Sequence, residues 1–231
     1  MLNKNRITKF FDYLTEKRRA RYLLKKQKRL KNPAPTIIGN NCVCGAIYRD
    51  LGLPYSSPTA NVLIPPTDFL RFASDLEYYL KCVPEEVIME KGSVIENATF
   101  PAGVLKKGEE QVLIIFMHDK TFEEGKEKWM RRCKRVDMNN LYIVFQLIFS
   151  KQKPFLRKRN SWYKEFKAIP HQNKRFLLNS CISFDKEIVP LRNMIFGKPS
   201  STLEYRCRFS KKRWMDDFNY VKFLNQNQMR G

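Results

Sequence analysis

The chain has 231 residues, 43% apolar and 13% aromatic, and a formal net charge of +21. This content excludes a disordered chain and suffices for one sizeable core. No run approaches the roughly 18 apolar residues of a membrane span, and the charged N-terminus lacks the apolar stretch and small-residue cleavage site of a secretory signal.

Residues 1–31 hold twelve Lys or Arg against Asp12 and Glu16, about half of the net charge. Ile7, Phe10, Phe11 and Leu14 recur at i, i+3, i+4 and i+7, which predicts a helix with a narrow apolar face. From Lys17 to Lys31 basic residues dominate, and Pro33 and Pro35 punctuate the passage onward. The segment reads as a basic amphipathic helix and Pro linker over 1–35, an appendage to an α/β domain over 36–231. Such helices lie on anionic membrane surfaces. Packing on the chain's own domain, with the charges solvated, is the alternative.

Thr36-Ile37-Ile38 reads as a strand that stops at the small, polar loop Gly39–Gly45, and a short helical pattern follows. Asn61–Ile64 is a short apolar run. Thr67 suits a helix N-cap, with Phe69, Phe72, Ala73, Leu76 and Leu80 as the stripe behind it. Val87-Ile88-Met89 and Val112–Met117 are strand candidates, the latter apolar enough to be buried on both faces. Thr121 and Glu124 form a capping box, and the helix they open carries Phe122, Trp129, Cys133 and Val136 on one side. Leu141–Phe149 reads as a buried strand, Ser161–Ile169 as a helix, Arg175–Leu178 as a strand and Ser210–Leu224 as a helix. Strands alternating with helices predict an α/β fold: a mainly parallel, Rossmann-like sheet with helices on both faces.

In such a sheet, ligands sit where strands end. Gly39, Asn40, Asn41 and Gly45 follow the first strand. The glycines let backbone N–H groups approach an anion, and the asparagines suit sugar hydroxyls. The same residues also suit a plain turn. Tyr55, Ser57 and Thr59 offer hydroxyls to a polar substrate, or make an ordinary loop. His118 follows the Val112–Met117 strand directly and is a candidate general base, with Asp119 to orient it. It is expected to share a cleft with Gly39–Gly45, because parallel strands end on the same side. His171 sits in a turn-like stretch. Arg131 and Arg132 can clamp a phosphate or simply face solvent. Cys42 is a candidate nucleophile, but no His lies near it in sequence, so a structural thiol is the plainer reading. The cysteines at 42, 44, 82, 133, 181 and 207 form no paired CxxC spacing, so no zinc site is expected.

Ile37-Ile38-Gly39-Asn40-Asn41-Cys42, Ile47–Tyr55 and Ser57-Pro58-Thr59 together resemble a bacterial family of unknown function. Its members are commonly labelled exopolysaccharide biosynthesis proteins. The similarity continues through Pro101-Ala102-Gly103, His118, Lys128-Trp129, Arg131-Arg132 and Pro170–Lys174. It implies an α/β fold and a transferase role in capsule or lipopolysaccharide assembly. Two stretches depart from the family pattern: Gln146–Lys151 lacks the family's acidic run, and Cys44-Gly45 stands where a glycine pair is expected.

The resulting expectation is a cytoplasmic protein, peripheral on the inner membrane face, that transfers a sugar from an activated donor to a lipid-linked or saccharide acceptor. Asn40 and Asn41 would recognise the donor, His118 would act as base, and Arg131 and Arg132 would meet phosphate charge. Residues 1–31 would touch the anionic membrane. No cofactor is expected, nothing supports a divalent metal, and no nucleic-acid motif is visible. A non-catalytic carbohydrate- or assembly-binding protein of the same pathway is the alternative, with nucleic-acid binding a third reading behind it.

Overall fold

The structure is a computed structural model that describes residues 4–92, 99–147, 153–179, 188–192, 194–195, 198–199, 201–207 and 209–226. Four parallel strands form the main sheet: β1 (Thr36–Gly39), β5 (Leu141–Leu147), β6 (Lys174–Leu178) and β7 (Ile188–Pro190), in the order β1-β5-β6-β7. A second, antiparallel sheet holds β2 (Glu85–Val87), β3 (Ala102–Lys107) and β4 (Glu110–Ile115), and β8 (Met194–Ile195) pairs with β9 (Lys198–Pro199). Seven α-helices are present among the described residues: α1 (Lys4–Arg29), α2 (Val43–Leu51), α3 (Pro66–Ser74), α4 (Leu76–Tyr79), α5 (Phe122–Cys133), α6 (Lys153–Ala168) and α7 (Tyr220–Leu224).

Alternation along the parallel strands sorts the core into two clusters, as a period of two requires. Ile37, Tyr142, Val144 and Leu177 pack with α2 and α7 on one face. Ile38, Ile143, Phe145 and Phe176 pack on the other with α3, α6 and the antiparallel sheet. The mixed α/β class and the helical cover therefore match expectation. Among the described residues the order β1-β5-β6-β7 runs in one direction, without the reversal that marks a doubly wound sheet.

Several elements differ from the sequence reading. The buried run at 112–117 is β4, paired antiparallel with β3, a strand that sequence reasoning missed. Asn61–Ile64 makes only the isolated bridge Leu63–Ile115. The stripe from Phe69 to Leu80 is broken at Asp75, whose φ of −141° is not helical, and the N-cap position of α3 is Pro65, not Thr67. The strand expected at 87–89 ends at Val87, with Ile88 fully exposed. α6 starts well before Ser161. The helix expected over 210–224 is a 3-10 turn, Trp214–Asp217, followed by α7, because Phe218 is extended between them. The capping box holds in part: Thr121 Oγ1 accepts the Glu124 N–H at 3.2 Å, while the Glu124 carboxylate accepts from Lys120 N. Ile148–Lys151 lies outside the described residues.

The basic N-terminal helix is anchored rather than appended. Arg19, 2% exposed, donates to Asp50 at 2.5 Å and to Asp216 at 2.5 Å, and Lys26 reaches Asp216 at 2.5 Å. Gln27 Nε2 bonds Asp50 O, and the Asn225 side chain bonds Arg29 O and Lys31 N. Burial raises the Asp216 pKa, but Lys26 and Arg19 outweigh it and hold the carboxyl below its ordinary value. Removing one partner of such a buried cluster strands the others. Asp216→Ala should therefore cost about 3–5 kcal/mol, read as a lowered urea midpoint with an unchanged slope.

Burial also keeps several acidic protons in place. The Cys44 thiol and the Tyr48 and Tyr220 phenols are pushed up, and Cys133 is pushed up to about 12. Below a pH of about 8.5, thiols keep their protons in both states; above it, only the unfolded chain releases them. Stability should therefore fall as pH rises, from about 9 for the thiols and from about 10 for the phenols, by about 1.4 kcal/mol per pH unit for each group. Urea titrations at neutral and alkaline pH would read this directly.

Candidate active site

β1 is four residues long, fully buried, and among the described residues has a strand, β5, on one side only. Its outward N–H groups need partners, since a buried unpaired donor costs about 1–3 kcal/mol. Ile37 N–H donates to the Tyr48 hydroxyl at 2.8 Å, and Gly39 N–H donates to Thr59 Oγ1 at 3.0 Å. Beyond the strand, Asn40 continues the ladder with its side chain. Its Nδ2 donates to Gln146 O and its Oδ1 accepts from Gln146 N, each at 2.9 Å. Asn41 Nδ2 donates to Gln146 Oε1 at 2.9 Å, and Asn41 Oδ1 accepts from Val43 N at 3.0 Å, capping the first turn of α2. Gln146 Nε2 then donates to Asn179 Oδ1 and Thr202 Oγ1.

This lock reassigns several expected ligand residues. Asn40 and Asn41 are 4% and 8% exposed, and their amides are spent within the protein. Ser57 and Thr59 are wholly buried and bonded to each other at 3.0 Å. Gly39 is small because Cys44 Sγ fills the space of its absent Cβ, and Gly45 because Asn61 Oδ1 does the same. These glycines serve close packing rather than an anion cradle. Gln146, whose lack of charge departs from the expected acidic run, is the hub of the lock.

The same stretch of chain links the two sheets. Ile64 N donates to Asn40 O at 2.9 Å, and Leu63 exchanges both backbone hydrogen bonds with Ile115 at 2.9 Å. The exit of β4 is thereby carried over the exit of β1. There His118 Nε2 lies 3.4 Å from Cys42 Sγ, across 76 residues of sequence. His118 and the Gly39–Gly45 loop thus come together at Cys42, between two sheets rather than along the single parallel sheet expected. His118 is exposed and Cys42 half-buried. Cys42 stands at the N-cap position of α2, where the helix dipole favours a thiolate. Burial acts the other way and pushes the thiol pKa up. The geometry is a thiol–imidazole pair whose imidazole is placed to take the proton as sulfur attacks.

Asp119 is paired with Lys128 at 2.5 Å. Arg132 donates to Ala60 O at 2.8 Å, stacks on the Tyr55 ring at 5.0 Å, and feels the Asp119 charge. Half-buried Tyr55 and Arg132, with Lys128, therefore gather around Asp119, the residue that follows His118 in the chain. Arg131 faces elsewhere and pairs with Glu127 at 3.3 Å. His171 receives the Asn173 N–H on its own turn, at 3.2 Å. Buried Asn179, just past β6, has an amide nitrogen without a hydrogen-bond partner among the described residues. Among the described residues, no group of three or more His, Cys, Asp or Glu side chains could hold a metal ion. None of the described helices is long and apolar enough to cross a membrane. In the sequence Cys42 is a candidate without a neighbouring His, Lys128 and Gln146 carry no sign of their roles here, and Asn179 and Thr202 carry no signal at all. No local signal exists for contacts that the tertiary fold alone creates.

Asn41→Ala would leave Val43 N and Gln146 Oε1 unpaired. It should cost about 1–3 kcal/mol, and less in a background that already carries Gln146→Ala. A double-mutant cycle in urea would show that coupling.

The family model described as Domain of unknown function (DUF1919) matches residues 14–225, and the chain belongs to this family. It is similar to an uncharacterised protein of Haemophilus influenzae, 27% identical over 199 residues that cover 86% of this chain and 88% of the relative.

Proposed function

From membership of a family without assigned activity, and from the Cys42–His118 contact, we propose that this chain is a group-transfer enzyme centred on that pair. The observation that carries the reading is the 3.4 Å approach of Sγ to Nε2 at the carboxyl end of β1. His118 takes the thiol proton as Cys42 attacks the electrophilic carbon of an activated substrate. The leaving group departs with the bonding electron pair, and Lys128 and Arg132 offset its charge. An acceptor hydroxyl then displaces sulfur, losing its proton to His118, which has by then released the first to the departing group. In this role His118 is the base that the sequence suggested, and Arg132 rather than Arg131 meets the phosphate.

The substrate in this reading is an activated sugar of capsule or lipopolysaccharide assembly, with a lipid-linked or saccharide acceptor. Its support is the resemblance to exopolysaccharide-labelled proteins over residues 36–178. The amide nitrogen of Asn179, unpaired among the described residues, adds a buried donor at the carboxyl end of the same sheet, suited to a ligand oxygen. The non-catalytic reading draws on the burial of Cys42, which disfavours the thiolate.

Thiol alkylation separates the two. Mapped by peptide mass, Cys42 should react with iodoacetamide about 10–100-fold faster than its His118→Ala counterpart, in keeping with general-base assistance of about 10²–10⁴-fold on a true substrate. Equal rates would leave the pair a structural contact. A thermal-shift panel of nucleotide sugars tests the substrate class separately. A ligand at about 100 times its dissociation constant should add about 2.7 kcal/mol of stability.

A further inference from the structure

We infer that the outward face of α1 is a docking surface for an anionic lipid bilayer. The sequence places cations all round this helix. The structure removes two of them from the surface, because Arg19 and Lys26 are committed inward to Asp50 and Asp216. Those contacts also stop the helix from rolling. By the 3.6-residue period, residues 10, 13, 14, 17, 21, 24, 25 and 28 then face away from the body. Four are apolar or aromatic and stand exposed: Phe10 at 57%, Tyr13 at 60%, Leu14 at 36% and Leu24 at 53%. The other four are Lys17, Arg21, Lys25 and Lys28, all of them cations.

The carboxylates of α1, Asp12 and Glu16, fall on the side of Arg19, and Glu16 accepts the Tyr205 hydroxyl at 2.7 Å. The outward face is thus free of negative charge along its length of about 39 Å. Arg18, Arg21, Lys25, Lys28 and Lys211 border a groove of about 410 Å³, wide enough for a phosphate headgroup. Near the N-terminal end, Phe11 turns inward onto Phe209 at 5.1 Å, and Phe209 is itself 51% exposed. Arg18 holds Phe209 O at 3.3 Å. An aromatic tip and a cationic groove on one fixed face suit an interfacial helix, with rings at headgroup depth and cations on lipid phosphate. Exposed Leu14 and Leu24 favour lipid over nucleic acid, since aliphatic side chains do not stack on bases. This face lies on α1 and takes no part in the reaction at Cys42.

Co-sedimentation of the full chain with vesicles tests it. Vesicles of 70% phosphatidylcholine and 30% phosphatidylglycerol should capture the protein, and pure phosphatidylcholine should not. One cation near an anionic surface is worth about fivefold in partitioning, so Arg21→Gln with Lys25→Gln should weaken capture about 25-fold. Phe10→Ala with Leu14→Ala should weaken it with an unchanged salt dependence. Lys126→Gln with Lys134→Gln, on and just past α5, should leave capture as in the parent chain. Equal capture by both vesicle types overturns the inference. So does unchanged capture by the Phe10/Leu14 variant together with release by single-stranded DNA, which would make the face a nucleic-acid site.

Discussion

Among the described residues β1 is a buried strand with a neighbouring strand on one side only, and its unmet backbone donors dictate what surrounds it. Water cannot reach Ile37 N or Gly39 N, so side chains must. Tyr48 comes from α2 and Thr59 from the following loop, and each arrives with its own requirements. Thr59 needs Ser57, and Tyr48 needs Ser56 and Pro35 O. The loop over 56–64 is thereby pressed along the open edge, where Leu63 and Ile64 can tie β4 to the end of β1. The meeting of His118 with Cys42 follows from this repair of an edge. The residues nearest the pair are accordingly structural, while the pair itself has its imidazole exposed.

How much of this was legible depends on whether a signal was local. Ile37-Ile38, Leu141–Leu147 and Phe176–Leu178 are apolar runs of strand length, and each proved to be a strand of the buried parallel sheet. Val112–Ile115 has the same composition, yet its neighbour runs antiparallel, since a strand buried on both faces looks alike in either sheet. Thr121 and Glu124 announced a helix start because capping is a contact over three residues. Asn40, Asn41, Ser57 and Thr59 were read as ligand donors because free polar groups and internally spent ones are the same letters. Only the position of Gln146, more than a hundred residues away, tells them apart.

The N-terminal helix shows the same ambiguity in charge. Nothing in the spacing of Arg19 and Lys26 distinguishes them from Arg18 or Lys25, and their role appears only when Asp50 and Asp216 are brought beneath them. These two carboxylates convert part of a uniformly basic segment into an interior bond. Net charge by itself therefore overstated how detached the segment is, and understated how one-sided its surface becomes.

The glycines after β1 carry a consequence for how this fold can vary. At Gly39 the space of a methyl group is occupied by the Cys44 sulfur, and at Gly45 by the Asn61 carboxamide, whose backbone sits at a φ of 67°. Each contact behaves as a fixed allowance of volume shared by two positions. A larger residue at 39 is tolerable only with a smaller one at 44, and growth at 45 requires a retreat at 61. Divergent members of such a fold should therefore drift through compensated double steps here, each single step passing through a strained intermediate. Residues that touch no substrate would then set the pace at which the loop bearing Cys42 can explore new sequence.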